Sequence, residues 1–394
     1  MNWMDLKMLD EQYMMQTCHR FPVDIDRGQG ATLYDLEGRE YIDFTSGMGA
    51  NSLGHGHAQW AESIMEQTLK LGHASNLVYT QPSVLLAEQL CRRTGMANTC
   101  FTSSGSEANA LMIRLAQQYS FDRYGKDRNT ILTLKHPFKE QSNAIHNELS
   151  QTQHPHYFNS YIDGIRFISA DMEDVQANAS NDVCAVMLEL IQKDGSMEPL
   201  SRQFVHALAV FCAEQDWLLL IDEVQTGAGR TGTLFAFQQY GILPDVISFG
   251  GGISGGLPLG GILANNRCKE VLGPNSYHST FGGNPVCCAA ALAVLDVLNE
   301  NTLAQVKEKG DYLRSGIESL ALSALGETYG SGLMIGVTLL GSNDHTATAC
   351  LLSDYGLLCI AVRDGLLFLP PLLVTKEEMD RGLAILKEAL GEGV

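Results

Sequence analysis

Two stretches that each join a buried strand to a glycine-rich turn constrain the fold of this chain more than any other feature. Residues 218–232 read Leu-Leu-Leu-Ile-Asp-Glu-Val-Gln-Thr-Gly-Ala-Gly-Arg-Thr-Gly. Residues 245–260 run from an apolar strand into three consecutive glycines. In a parallel α/β sheet, ligands lie at the carboxyl ends of the strands, where this pattern places Asp222 and Glu223. The sequence therefore predicts a cofactor site, and the alternative is a loop with ordinary turn glycines.

Length and charge exclude several classes of protein. A chain of 394 residues suits two domains, or one large domain with a smaller one attached. Its apolar content of 45% and charged content of 18% are typical of a soluble globular protein. A net charge of −19 argues against nucleic acid as a partner, because phosphate binding needs a cationic face.

The cysteines and the N-terminus indicate a cytoplasmic protein. The 10 cysteines are scattered without a Cys-x-x-Cys pair, which favours reduced thiols over a disulfide framework. The first residues carry an early acid and no apolar segment, so no signal peptide is expected. No run of about 18 apolar residues is present, and no membrane span is predicted.

Hydrophobic periodicity predicts an α/β fold with a mostly parallel central sheet flanked by helices. Strand-like and helical runs alternate between residues 131 and 298. The pattern changes after about residue 303 to that of a small α+β domain, which a hairpin near residues 31–44 is expected to join. We predict an N-terminal segment at 1–52, a large cofactor-binding domain at 53–300 and a small domain at 301–394.

Two polar features are candidates for ligand contacts. The Ser104-Gly105-Ser106 turn precedes a helical pattern, and the unpaired N–H groups of a first helical turn bind anions such as phosphate. Ser106 is equally well explained as a helix N-cap. Asp222 ends an apolar strand, where a protonated ring nitrogen would offset its burial. A solvated carboxylate at the sheet edge is the alternative.

Two further motif matches in the glycine-rich turn lack the required context. Residues 250–255 fit the Gly-x-Gly-x-x-Gly dinucleotide fingerprint, and residues 252–256 fit a nucleophile elbow centred on Ser254. Both motifs require a helix directly afterwards. Pro258 and the flanking glycines disfavour one. A hydrolase that uses Ser254 is therefore the weakest hypothesis.

No metal site is predicted. The pairs His55/His57 and His154/His156 have no cysteine or carboxylate at a metal-ligand spacing, so they are interpreted as loop histidines. Cys287 and Cys288 lie in an apolar helical run and are interpreted as packing residues.

Taken together, four motifs make the chain resemble the class III aminotransferases, which use pyridoxal 5'-phosphate (PLP) on the type I fold. The resemblance extends from Gly28 to Leu372 and is strongest to acetylornithine and ornithine aminotransferases. The motifs are Ser-Gly-Ser-Glu-Ala-Asn at 104–109, Glu-x-Ile-Gln at 189–192, Asp-Glu-Val-Gln-Thr-Gly-x-Gly-Arg-Thr-Gly at 222–232 and Ser-Thr-Phe-Gly-Gly-Asn-Pro at 279–285.

The resemblance implies a set of cofactor contacts. Asp222 would pair with the pyridine N–H and keep the ring an electron sink. The others implied are Gly105 and Ser106 at the phosphate, Phe138 stacked on the ring, Val224 beneath it, Gln225 near its phenolic oxygen, Glu223 beside Asp222, and Thr280 at the phosphate of the neighbouring subunit. Thr280 makes a homodimer the expected assembly. On the substrate side the implied residues are Gln141, Glu189 and Ser279.

The chain departs from the family pattern at the position of the Schiff-base lysine. The family has Ala-Lys-Gly where this chain has three glycines, so Gly251 occupies the catalytic position. The lysine amine binds the cofactor covalently and then moves the substrate proton. Loss of a general base alone costs about 10²–10⁴-fold in rate. Lys139 and Lys193 could act as substitute amines, and the alternative is that both are solvated loop residues.

Arginines that hold the substrate carboxylate in the family are also replaced. Gln141, Tyr329 and Leu367 stand at these positions. A carboxylate clamp needs a fixed bidentate cation. The sequence thus predicts a homologue of the aminotransferases that pass an amino group from an amino acid to a 2-oxo acid, with weak or absent turnover. The alternative is a non-catalytic protein that binds PLP or pyridoxamine phosphate, as a pseudoenzyme or regulatory partner.

Overall fold

The computed structural model describes residues 3–17, 20–134, 164–191, 198–341 and 344–391. Several residues of the sequence analysis lie outside these ranges: Phe138, Lys139, Gln141, His154, His156, Gln192 and Lys193. Their roles stay predictions.

The described chain alternates helices and strands over most of its length. The helices are α1 Trp3–Tyr13, α2 Ala58–Lys70, α3 Gln81–Thr94, α4 Gly105–Tyr124, α5 Met172–Ala177, α6 Arg202–Glu214, α7 Phe237–Tyr240, α8 Pro285–Val297, α9 Glu300–Ser319, α10 His345–Asp354 and α11 Lys376–Gly391. The strands are β1 Ile25–Gln29, β2 Thr32–Asp35, β3 Glu40–Asp43, β4 Asn98–Thr102, β5 Thr130–Leu134, β6 Ile165–Ile168, β7 Val183–Leu188, β8 Leu218–Asp222, β9 Val246–Phe249, β10 Gly260–Ala264, β11 Leu325–Ser331, β12 Met334–Leu339, β13 Leu357–Leu358, β14 Ile360–Val362 and β15 Gly365–Phe368.

A seven-stranded sheet forms the centre of the molecule. Its strand order is β4-β10-β9-β8-β7-β5-β6, and only β10 runs antiparallel to its neighbours. Every residue of β5, β7, β8, β9 and β10 is buried. Such continuous burial is expected when both faces of a parallel sheet are covered. The predicted α/β fold with a mostly parallel sheet is confirmed.

Two smaller sheets accompany the central one, and one of them joins the two ends of the chain. The first has the order β1-β2-β3-β13, and β13 pairs parallel to β3, so the N-terminal hairpin and the C-terminal part share a sheet. The second, β11-β12-β15-β14, is antiparallel. The predicted hairpin near residues 31–44 corresponds to β2 and β3. The domain boundaries stay a prediction.

The nine cysteines in the described ranges are all free. Burial raises the pKa of Cys184 and of Cys268 to about 12, so neither is a thiolate at neutral pH. Cys288 is fully buried in α8, in keeping with a packing role.

No single helix in the described ranges is long and apolar enough to cross a membrane. The pair α8 and α9, bent by 75°, meets the length and composition criteria only when both helices are taken together.

Candidate cofactor site

Asp222 lies at the carboxyl end of the central strand β8, with 3% of its surface exposed. Its Oδ1 accepts a hydrogen bond from the Val224 backbone N–H at 2.9 Å, and its Oδ2 accepts one from Asn109 Nδ2 at 2.9 Å. Burial of a carboxylate is costly without such donors. The hydrogen bonds therefore hold a negative group in a fixed place at the edge where ligands bind in α/β sheets.

Val224 joins three parts of the predicted site. A Cβ added at Gly105, the first residue of α4, would overlap Val224 Cγ1. A Cβ added at Gly250, just after β9, would lie 2.9 Å from the same atom. Both glycines are therefore required by close approach to the Val224 side chain. The packing brings the N-terminus of α4, the loop after β8 and the turn after β9 together.

The turn for which the sequence predicts anion binding lies at the N-terminus of α4, and its cap differs from the cap interpretation of Ser106. The N-cap is Ser104, whose Oγ accepts from the Glu107 backbone N–H at 3.2 Å. Glu107 reaches back to the Ser103 N–H at 2.7 Å, which resembles a capping box. The cap interpretation of Ser106 is thus wrong, and Ser106 lies exposed in the first turn. A helix of 20 residues presents its positive end here.

Gln225 contributes a buried acceptor at the same loop. Its Oε1 is buried and has no hydrogen-bond partner in the described structure. An unpaired buried polar atom costs free energy, of the order of 1–3 kcal/mol. A ligand hydroxyl would satisfy it, and a rotated amide would instead offer its N–H groups to a ligand oxygen.

Glu223 is predicted to contact the cofactor, but in the structure its carboxylate is bonded within the protein. Its side chain is fully buried, Oε1 accepts from Phe237 N at 2.7 Å, and Oε2 accepts from Ala236 N at 2.9 Å and from the Thr226 hydroxyl. Burial raises the pKa of Glu223 to about 7, against the opposing effect of these hydrogen bonds. Both oxygens are used by the protein, so Glu223 anchors the loop that follows β8.

Gly251 begins a short 3₁₀ turn over Gly251–Ser254. Its φ lies outside the left-handed region, and an added Cβ would meet Leu257 O at 3.4 Å and Ala50 Cβ at 3.8 Å. These are ordinary contact distances. Unlike Gly105 and Gly250, this position does not require glycine.

Ser254 closes the same turn instead of presenting a nucleophile. Its Oγ donates to Leu257 O at 2.6 Å and lies 3.0 Å from Gly251 O, and the side chain is fully buried. The next regular element is the strand β10, not the helix that a nucleophile elbow needs.

Two of the substrate-side candidates, Glu189 and Ser279, are described and buried. Glu189 follows β7 directly and is 3% exposed. Ser279 is buried, with its Oγ 3.2 Å from Ser103 Oγ beside the N-terminus of α4. Thr280 is exposed.

An apolar cluster occupies two positions at which the resemblance has arginines. Leu367 packs with Met334, Leu369 and Ile191, all nearly fully buried, and Tyr329 packs against the same group. Ile191 lies three residues after the end of β7 and forms an isolated β-bridge with Pro199, so the cluster connects the chain that leaves the central sheet to the small antiparallel sheet. Leu367 and Tyr329 thus provide packing here and no cation.

Comparison with known protein families shows which family the chain belongs to. A model of the family described as aminotransferase class III matches residues 13–390. The chain belongs to the class III aminotransferases. The predicted family, the type I fold and PLP as the family's cofactor are confirmed.

Relatives of this class III chain match over almost its whole length. The acetylornithine aminotransferase of Haemophilus ducreyi is 39% identical over 392 residues, covering 98% of each chain. That of Caldanaerobacter subterraneus is 37% identical over 388 residues, covering 97% of this chain and 98% of the relative. Among solved structures, the acetylornithine aminotransferase of Stenotrophomonas maltophilia has a TM-score of 0.83 at 31% identity over 98% of each chain. That of Elizabethkingia anophelis has a TM-score of 0.88 at 27% identity over the full length of both.

Sequence reasoning missed three buried residues of this class III aminotransferase fold. Asn109 and Ser248 contact each other and surround Asp222. Asn109 stands in the 104–109 motif, one helical turn after Gly105, and that spacing was the available signal. Arg230, 2% exposed, donates to the carbonyls of Leu333, Pro370 and Gly49, and burial lowers its pKa to about 9.

The loop histidines His55 and His57 each make a hydrogen bond within the protein. His55 Nε2 lies 2.9 Å from Asp43 Oδ2, and His57 Nδ1 lies 3.4 Å from the Trp60 backbone N–H at the start of α2. Burial alone would raise the pKa of Asp43, but hydrogen bonds from His55 and Thr45 hold it below its usual value. Within the described ranges, no group of three or more His, Cys, Asp or Glu side chains could hold a metal ion.

Proposed function

We propose that this class III chain binds PLP or pyridoxamine phosphate without a covalent link. We further propose that its acetylornithine- or ornithine-type amino transfer is weak or absent. One observation carries the proposal: the turn after β9 leaves ordinary contact space for a Cβ at position 251, yet Gly251 brings no amine. Among the described residues, Val224 packs against both Gly105 and Gly250, the residue before Gly251.

The described residues fit the cofactor at both ends. The N-terminus of α4 at Gly105 and Ser106 suits a phosphate, and Asp222 suits a protonated pyridine nitrogen. Val224 packs against Gly105 and donates its backbone N–H to Asp222, and the buried Gln225 Oε1 could accept a hydrogen bond from the cofactor. When bound, PLP supplies an electrophilic aldehyde and a ring that accepts electrons.

Catalysis needs a further group that this turn does not supply. A lysine amine in this position would bind the aldehyde and then hold the proton taken from the substrate. Glycine has no titratable side chain and does neither. The substrates proposed for any residual activity are an amino acid and a 2-oxo acid, as in the family. The proposed assembly is a homodimer in which Thr280 reaches the neighbouring site.

A spectroscopic binding experiment tests the proposal. The purified chain is titrated with PLP, treated with borohydride and digested for mass spectrometry. We expect saturable binding, no borohydride-stable label on a defined lysine, and no product when acetylornithine or ornithine is supplied with 2-oxoglutarate. A single labelled lysine together with turnover would contradict the proposal, and so would absence of saturable binding.

Returning an amine to the turn extends this test. Gly251→Lys should acquire a borohydride-stable PLP label, because the backbone angle and the nearest contacts accept a Cβ there. The matched control is Gly273→Lys, which adds a lysine at an open position with an ordinary backbone angle. The control should stay unlabelled. Equal labelling of both variants would show that the reaction is with accessible lysines in general.

A further inference from the structure

Three buried side chains from three different elements form a hydrogen-bonded chain beneath the cofactor site. Asn109, on α4, is 4% exposed and donates from Nδ2 to Asp222 Oδ2 at 2.9 Å. Ser248, on β9, is fully buried and lies 2.6 Å from Asn109 Oδ1. Asp222 and Ser248 are also register partners on neighbouring parallel strands. Helix and sheet therefore converge on one carboxylate.

The distances assign the direction of each hydrogen bond. The Ser248 hydroxyl has one proton, and its oxygen is 2.6 Å from Asn109 Oδ1 but 3.4 Å from Asp222 Oδ1. The shorter bond is the stronger one, so the proton goes to Asn109. A carboxamide whose oxygen accepts from Ser248 must turn its N–H groups towards Asp222. Ser248 thus acts on Asp222 through Asn109.

These hydrogen bonds favour the ionised form of Asp222. A donor to a carboxylate stabilises its ionised form, and the effect is larger away from water. Neither Asn109 nor Ser248 carries a charge, and the adjacent titratable group, Glu223, uses both of its oxygens elsewhere. An Asp222 that lost the Asn109 donor would hold a proton more tightly and would compete with a ring nitrogen for it.

We propose that Asn109 and Ser248 are positioning residues that fix Asp222 as an ionised acceptor for the pyridine nitrogen of the cofactor. The proton then stays on the ring nitrogen instead of moving to the carboxylate. This inference rests on the proposed cofactor binding. It assigns to both residues a role that does not depend on a lysine at position 251.

Nitrogen NMR of ¹⁵N-labelled PLP tests the inference directly, because the ring nitrogen signal reports its own protonation. The label is titrated with pH in the unaltered protein and in three variants. In Asn109→Leu we expect the ring nitrogen to lose its proton about one pH unit lower, since one hydrogen bond to a charged group is removed. Ser248→Ala should shift in the same direction by less, and Ser248→Thr, which keeps the hydroxyl, should match the unaltered protein.

Ser120→Ala is the matched control. Ser120 lies on the same helix and is buried, and its Oγ has no hydrogen-bond partner in the described structure. Its replacement should leave the titration unchanged. A ring nitrogen that titrates identically in Ser248→Ala and in the unaltered protein would overturn the inference, whatever the change in stability.

The design separates this inference from the proposed function. If the unaltered protein shows no saturable PLP binding, both are wrong. If PLP binds and the variants titrate alike, only the positioning role is wrong. Should Asn109→Leu fail to fold, the difference between Ser248→Ala and Ser248→Thr decides.

Discussion

Asp222 and Glu223 are adjacent in sequence, yet their carboxylates contact different parts of the protein. Successive residues at a strand end point to opposite sides, so both carboxylates cannot face one ligand. Asp222 meets Asn109 and the Val224 N–H, whereas Glu223 receives N–H groups from the start of α7. The 222–232 motif alone does not tell which of the two carboxylates faces the ligand. The period of two along a strand was the physical signal that could have done so.

At the residue scale, Glu223 should make stability depend on pH. Its pKa is raised from 4.5 to about 7, so between these values the folded state keeps a proton that the unfolded state has lost. The stability it contributes is full below pH 4.5 and is lost as pH rises through about 7. Between pH 5.5 and 8 we expect a loss of about 2 kcal/mol in the free energy of unfolding.

Urea unfolding of the unaltered protein and of Glu223→Gln at these two pH values measures that loss. The variant has no group that titrates at this position, so its stability should fall by less over the same interval. Parallel pH dependence in the two proteins would contradict the assignment.

At the element scale, the cofactor site depends on how closely α4 approaches the loop after β8. Gly105→Ala should destabilise the protein by about 1–3 kcal/mol, because the new methyl group overlaps Val224 Cγ1. Val224→Ala in the same chain should recover part of that loss and part of the PLP affinity. A double-mutant cycle by urea unfolding gives the coupling energy.

Gly273→Ala is the control for this cycle, because nothing lies within 4 Å of its added Cβ and its backbone angle is ordinary. It should change stability by no more than about 0.5 kcal/mol. Strictly additive losses in Gly105→Ala and Val224→Ala would show that the two side chains do not meet.

Elements were easier to predict than their ends. The strand that ends at Asp222 and the helix after Gly105 follow from apolar runs bounded by glycine and polar residues. The N-cap is ambiguous in the sequence because a serine stands on each side of Gly105, and either can accept from a first-turn N–H. The choice of Ser104 depends on where the backbone leaves the helical conformation, which composition does not specify.

At the scale of the whole molecule, Arg230 connects the loop after β8 to the small sheets. Its guanidinium donates to carbonyls of residues far apart in sequence, at Gly49, Leu333 and Pro370. No local pattern could predict these partners, since each is a backbone oxygen brought close only by the complete fold. The sequence Arg-Thr-Gly at 230–232 predicts a loop after β8, but it does not predict that the arginine is buried.

Arg230→Ala should destabilise the protein by about 3 kcal/mol or more, because it leaves buried carbonyls without donors. Hydrogen exchange should rise most at β12 and at the amides of Leu369 and Leu372, which donate to the carbonyls of Phe44 and Ser52. The control is Arg92→Ala, an exposed residue 3.8 Å from Glu88 on the same helix, with an expected change below about 0.5 kcal/mol. Similar losses in the two variants would argue against a connecting role.

The backbone angle and the contacts at Gly251 decide whether the fold requires glycine at this position. A glycine held in place by a left-handed angle or by a tight contact could be replaced only if its neighbours changed first, as at Gly105 and Gly250. Position 251 has neither restraint. The described contacts leave room for a Cβ at this position, so the fold itself does not require glycine here. A single substitution could therefore place a side chain on this turn without a change elsewhere in the backbone.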